Sequence, residues 1–153
     1  MNNEIHDRFA FAAQEVLKMM LDVEANACAD ADGCDAYTKG SINVAIGITG
    51  DCSGEALFSF PSETALNMVK IMSGGMDIEE VDDFVKSAVG ELSNIISGSA
   101  ATALSEQALV FDILPPQISI STGNATEAAN RAKEITSTLH TSAGDVGLIV
   151  RMA

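Results

Sequence analysis

Residues 81–105 carry two superposed helical periodicities. Val81, Phe84, Val85, Ala88, Leu92, Ile95, Ile96, Ser99 and Ala103 recur at intervals of three and four, the spacing of one buried helical face. Ser87, Glu91, Asn94, Gly98 and Ser105 fall on a second line, about 100° per residue around the axis, roughly opposite the first. The pattern predicts a long helix that buries its apolar stripe and turns Glu91 and Asn94 outward as i, i+3 neighbours. The acids at 77–80 read as its start, because carboxylates are favoured at a helix's positive end. Upstream, Phe9, Ala12, Ala13, Val16, Leu17, Met20 and Leu21 predict a first helix over 4–22. Ile42, Val44 and Ile46 alternate, as do Ala56, Phe58 and Phe60, predicting strands at 41–47 and 55–61 around a Gly47–Gly54 turn. Pro61-Ser62-Glu63 opens a second helix with Ser62 as N-cap, and Ser73-Gly74-Gly75 ends it. Further strands are predicted at 108–114, 118–121, 135–140 and 146–152, with a turn at Gly123-Asn124 and an ambiguous stretch over 126–132. The order is helix, two strands, two helices, four strands. It predicts an α+β domain: a mainly antiparallel sheet of about six strands with three helices packed on it. The apolar last strand, with Val146, Leu148, Val150 and Met152, is a liability unless covered.

Composition narrows the class. A chain of 153 residues is read as one domain, residues 1–153, and 47% apolar content excludes a disordered polymer. A net charge of −14 disfavours nucleic acid and anionic membranes as partners, though it also serves plain solubility. The first residues lack a basic segment followed by an apolar core, and no apolar run approaches a membrane span. Cys28, Cys34 and Cys52 show no C-x-x-C spacing, so free thiols in a reducing cytoplasm are expected. With only His6 and His140 to add, no zinc site is expected. The acidic turn at 30–35 lacks the spaced ligands and closing Glu of a calcium loop. Gly50-Asp-Cys-Ser-Gly54 imitates a nucleophile elbow around Cys52, but that motif needs a helix to follow, and a strand is predicted instead.

The polar line of the long helix remains. Gly90, Gly98, Ala101 and Ser105 lie on or beside it, and a helical glycine costs about 1 kcal/mol relative to Ala. Either another backbone comes close here, or this is a solvated face with incidental small residues. Ser87-x-x-x-Glu91-x-x-Asn94, followed by Ile-Ile-Ser-Gly-Ser-Ala-Ala-Thr-Ala-Leu-Ser, resembles the signature of the CheC/CheX/FliY phosphatases of bacterial chemotaxis. The family's later proline has counterparts in Pro115 and Pro116, offset by about one residue. A Gly-Asp-x-x-Gly hairpin before an apolar strand recurs in that family, and a single motif helix is the CheX-like arrangement. On the first helix the nearest echo is Phe11-x-x-x-Glu15-x-x-Lys18, which lacks the Asn.

The resemblance implies a CheC/CheX-like fold and a phosphatase acting on the aspartyl phosphate of a CheY-type response regulator. It implies that Asn94 positions the attacking water and that Glu91 pairs with the partner's active-site Lys. Ser87, Gly98 and Ala101 would form the docking face. No metal of its own is implied, since the response regulator brings Mg²⁺. A homodimer through sheet edges is implied as well. The competing class is a non-catalytic response-regulator-binding module or an adaptor at the flagellar switch.

Overall fold

The computed structural model describes residues 2–29, 40–120 and 134–152. The expectations for Cys34, the turn at 30–35, Gly123-Asn124 and residues 126–132 lie outside them. The helices are α1 (Asn2–Leu21), α2 (Ser62–Met72) and α3 (Asp83–Ser105). The strands are β1 (Ala25–Ala29), β2 (Ile42–Gly50), β3 (Gly54–Phe60), β4 (Phe111–Ile113), β5 (Gln117–Ile120), β6 (Glu134–Thr141) and β7 (Gly144–Met152). Among the described residues the sheet has seven strands in the order β1-β6-β7-β3-β2-β4, with β5 also paired to β2. All pairs are antiparallel. β4 and β5 border the same strand, and Pro115-Pro116 separates them, where proline offers no N–H to a ladder.

The alternation of β2 and β3 sends Ile42, Val44, Ile46, Phe58 and Phe60 to one face, where they join the apolar sides of all three helices in one core. Phe9 of α1 meets Phe58 of β3 with ring centroids 6.5 Å apart. Truncating a fully buried Phe such as Phe58 to Ala costs about 3–5 kcal/mol. The opposite face has a smaller cluster of Leu57 and Ile149 against Ala45. Two polar pins tie helices to the sheet. The buried His6 of α1 has Nε2 2.8 Å from Ser137 Oγ on β6. Thr64 Oγ1 and Asn67 Nδ2 of α2 donate to the carbonyls of Asp145 and Ala143 on the β6–β7 hairpin, each at 3.0 Å.

The α+β architecture with three helices on one sheet face matches the expectation, and four details differ. β1 was not expected; it consists of Ala-Asn-Ala-Cys-Ala, with no β-branched or aromatic residue, and is held by its ladder to β6. β7 lies inside the sheet between β3 and β6, so the strand expected to need cover is already paired on both sides. α3 begins at Asp83 and not among the acids at 77–80, because Asp82 takes the N-cap position and its carboxylate accepts from Val85 N at 3.0 Å. Ser62 is the first residue of α2 and not its cap; its hydroxyl donates to Gly40 O at 2.8 Å, and Pro61 stands at the cap.

Candidate functional site

α3 packs beside α1 and over β2, β4 and β5. Its buried residues are Val85, Val89, Gly90, Leu92, Ser93, Ile96, Ser97, Ala100 and Leu104. The buried arc is therefore turned relative to the predicted stripe. Phe84 is 50% exposed, and Ala88, Ile95, Ser99 and Ala103 are only half-buried. The arc shifts toward Val89, Ser93, Ser97 and Leu104, in the direction of Gly90, which faces Ile118 of β5. Ser93 Oγ turns back onto the helix and donates to Val89 O at 2.8 Å, whereas Ser97 Oγ is buried without a hydrogen-bond partner among the described residues.

The polar line emerges in part, and Gly90 beside it is buried. Ser87 and Glu91 are exposed, and Asn94, Gly98 and Ala101 are half-buried. Glu91 and Asn94 sit one turn apart, with Cβ atoms about 5–6 Å from each other in such a pair. Among the described residues neither side chain has an intrachain hydrogen bond or ion pair. A free carboxamide presents two donors and an acceptor, and the carboxylate beside it presents acceptors only. The surface around them is low, since the next positions along the line carry glycine and alanine.

The two glycines have different neighbours. A Cβ on Gly90 would lie 2.6 Å from Ile118 Cδ1 on β5, so this glycine admits a side chain of its own chain. A Cβ on Gly98 would have only Ile113 Cδ1, at 3.9 Å, near it. The expected close approach at Gly90 is thus satisfied internally, and the clearance at Gly98 is open. These contacts also place the diproline. Ile118 lies over Gly90 and Ile113 near Gly98, so Leu114-Pro115-Pro116-Gln117 runs alongside the stretch of α3 that holds Glu91 and Asn94. Sequence reasoning missed Ile118 as a flank of the site. The unexplained glycine at 90 was the signal for it.

Other candidates fall away from this face. Cys52 is a half-buried free thiol, and burial, then Asp51, push its pKa upward, opposite to the activation of a nucleophile. The Gly50–Gly54 turn joins two strands and has a structural role. Asp51 N donates to Val110 O at 3.0 Å, and Asp51 Oδ2 accepts from Val110 N at 2.8 Å. His140 is on the β6–β7 hairpin with its Nδ1 3.0 Å from Asp145 Oδ1. On α1, Lys18 Nζ is engaged by Glu24 at 2.8 Å and Asp22 at 3.0 Å, which push its pKa up to about 12.

Comparison with known proteins places the chain in a family. The family model described as Chemotaxis phosphatase CheX matches residues 42–140. The chain belongs to that family. The CheY-P phosphatase CheX of Thermotoga maritima is 42% identical over 78 residues, which span 51% of this chain and 50% of the relative. The chain thus matches about half the length of that curated CheX. A CheC-like protein from Shewanella sp. PV-4 superposes with a TM-score of 0.84 at 22% identity, covering 100% of this chain and 99% of that one. The CheX of a CheX–CheY–BeF₃–Mg²⁺ complex from Borrelia burgdorferi superposes with a TM-score of 0.71 at 24% identity, covering 95% and 96% of the two chains. Among the described residues no helix is long and apolar enough to cross a membrane.

Proposed function

We propose that this chain hydrolyses the aspartyl phosphate of a CheY-type response regulator. The observation that carries the reading is the unpartnered Asn94 carboxamide, one turn from Glu91 on a low, open helix face. Its context is a CheX-family chain whose curated relative is a CheY-P phosphatase. The Borrelia neighbour is a CheX in complex with CheY, BeF₃ and Mg²⁺.

An acyl phosphate is reactive, so the task is alignment and electrostatics more than covalent catalysis. Asn94 accepts from a water and holds it in line with phosphorus. The water oxygen bonds to phosphorus as the P–O bond to the aspartyl group breaks. The aspartate leaves as a carboxylate, inorganic phosphate is released, and the water's proton passes to phosphate or solvent. Glu91 pairs with the partner's active-site Lys and fixes the register of α3 on the partner. Ser87, Gly98 and Ala101 keep the face low enough for that approach. In this reading Mg²⁺ belongs to the response regulator, and the chain contributes no metal ligand. The chain works in the cytoplasm, where response regulators are phosphorylated. It pairs with a second copy through a sheet edge. The four residues of β5 are exposed and, among the described residues, β5 has a strand on one side only.

The test is loss of radiolabelled phosphate from purified response regulators. A catalytic trace of this chain should accelerate it with multiple turnovers. An effect needing stoichiometric amounts would identify a binding module or switch adaptor instead.

A further inference from the structure

The apolar residues that mislead the sequence reading of α3 are left over once the core is filled. Phe84 is the largest of them, 50% exposed on the helix's first turn. It stands seven residues before Glu91, two turns away, about 20° around the axis and roughly 10 Å along it. Phe84 therefore extends the Glu91 side of that face, about 80° around the axis from Asn94. It is also one wall of a depression of about 530 Å³ between the α2–α3 connection and the start of α3. Met76, 55% exposed, lines it too, and Ile78, 8% exposed, belongs to its apolar lining. Asp77, Glu79 and Glu80 stand on the rim with Asp82, the cap of α3; the first three are exposed, and among the described residues none of them forms an ion pair. No Lys or Arg occurs between Lys70 and Lys86. A half-exposed aromatic beside an exposed methionine, ringed by unpaired carboxylates, fits an apolar element bearing Lys or Arg. Aromatic anchors in such depressions dominate binding energy at interfaces.

Building on the phosphatase reading, we infer that this cup is a second docking point for the phosphorylated response regulator, receiving a basic, apolar element next to the partner's active site. The cup contributes affinity and on-rate, whereas Asn94 contributes the chemical step. The carboxylate rim steers a basic surface toward α3 and makes encounter salt-dependent. Phe84, as a wall of the cup, packs against that element and slows dissociation.

The test uses CheY-type response regulators phosphorylated with acetyl phosphate, and the same proteins loaded with beryllofluoride and Mg²⁺ for equilibrium binding. Phe84→Ala should raise KM and Kd about tenfold with kcat unchanged, on the scale of losing an interface anchor. A Glu79→Lys, Glu80→Lys double variant should raise KM at low salt and flatten its dependence on ionic strength. That variant changes only exposed side chains and decides the matter if Phe84→Ala melts early. Unchanged Kd in both variants would overturn the cup. The two readings fail separately. Failure of a catalytic trace of the parent chain to accelerate dephosphorylation would overturn the phosphatase reading, while Kd for the beryllofluoride-loaded regulator would still judge the cup.

Discussion

α1 and α3 lie side by side and are similar in length, 20 and 23 residues, and each turns a glutamate to the surface. Their outward faces differ in height and in commitment. On α1 the exposed side chains are long: Phe11 at 53%, Met19 and Met20, and Lys18 closed on two carboxylates. On α3 the corresponding line is Ser87, Glu91, Asn94 and Gly98, with the carboxylate and carboxamide unpaired. A paired lysine has spent its electrostatic preference within the chain. A free amide on a low surface has its hydrogen bonds still to make. The contrast teaches that what marks a site here is unspent polar capacity together with clearance. A Glu on a helix is not enough.

The sharpest way to break the contrast is to remove the free amide. Asn94→Ala should lower turnover by about 10²-fold or more, the scale of losing a positioned polar group, with little change in affinity. The side chain makes no intrachain bond, so the variant should melt within about 0.5 kcal/mol of the parent. Early melting, or unchanged turnover, would make Asn94 structural. Glu91→Lys comes next. Opposed to a partner lysine, it should raise KM and reduce turnover together, more than Glu91→Ala does. Glu15→Ala on α1 should leave both parameters untouched. Equal losses at Glu15 and Glu91 would abolish the distinction between the helices.

A subtler change tests clearance. Gly98→Leu fills open space, so it should add about 0.5–1 kcal/mol of stability by helix propensity while raising KM several-fold. Gly90→Ala should not stabilise, because its methyl meets Ile118. Denaturant melts and kinetics on the same samples separate the two glycines. The smallest effect concerns how α1 is fixed. Burial holds the His6 imidazole below its usual 6.5, with Asp7 partly opposing. The unfolded chain therefore takes up this proton first as pH falls. The stability that neutral His6 contributes is complete above about pH 6.5 and drains away as pH drops through the lower folded value. Melting temperature should decline in that window, and less so in His6→Gln. Identical pH profiles would show that the pin on Ser137 does not matter.

The α+β order and the polar line of α3 were legible because both rest on local periodicity. The phase of the buried arc was not. Ala88 and Ile95 are apolar yet sit at its margin, Phe84 is apolar yet lies on the outward side near Glu91, and hydropathy cannot tell a rim from a core. The start of α3 was misread because acids at 77–80 suit a first turn as well as a connection, and only the Asp82 side chain settles the cap. β1 carries no propensity signal, and its strand state comes from β6, far along the chain. Strand order is likewise non-local, so nothing in residues 144–152 announced a central position. The role of Gly90 depended on Ile118 and was open until the two were brought together.

The central seat of β7 has a consequence for biosynthesis. α3 is synthesised well before Gly144 is added, yet β3 and β6 acquire their shared neighbour only when β7 arrives. β1 waits still longer relative to its own synthesis, since Ala25 pairs with Thr141. Only the β2–β3 hairpin can close early from local contacts. Pairings between residues so distant in sequence slow folding and leave the sides of α1 and α2 that pack on β7 uncovered in the interval. Until β7 slots in, the nascent chain exposes apolar surface of the kind that makes partly folded chains prone to aggregate. A product halted short of Gly144 would carry the complete Glu91–Asn94 motif with no closed sheet to hold it.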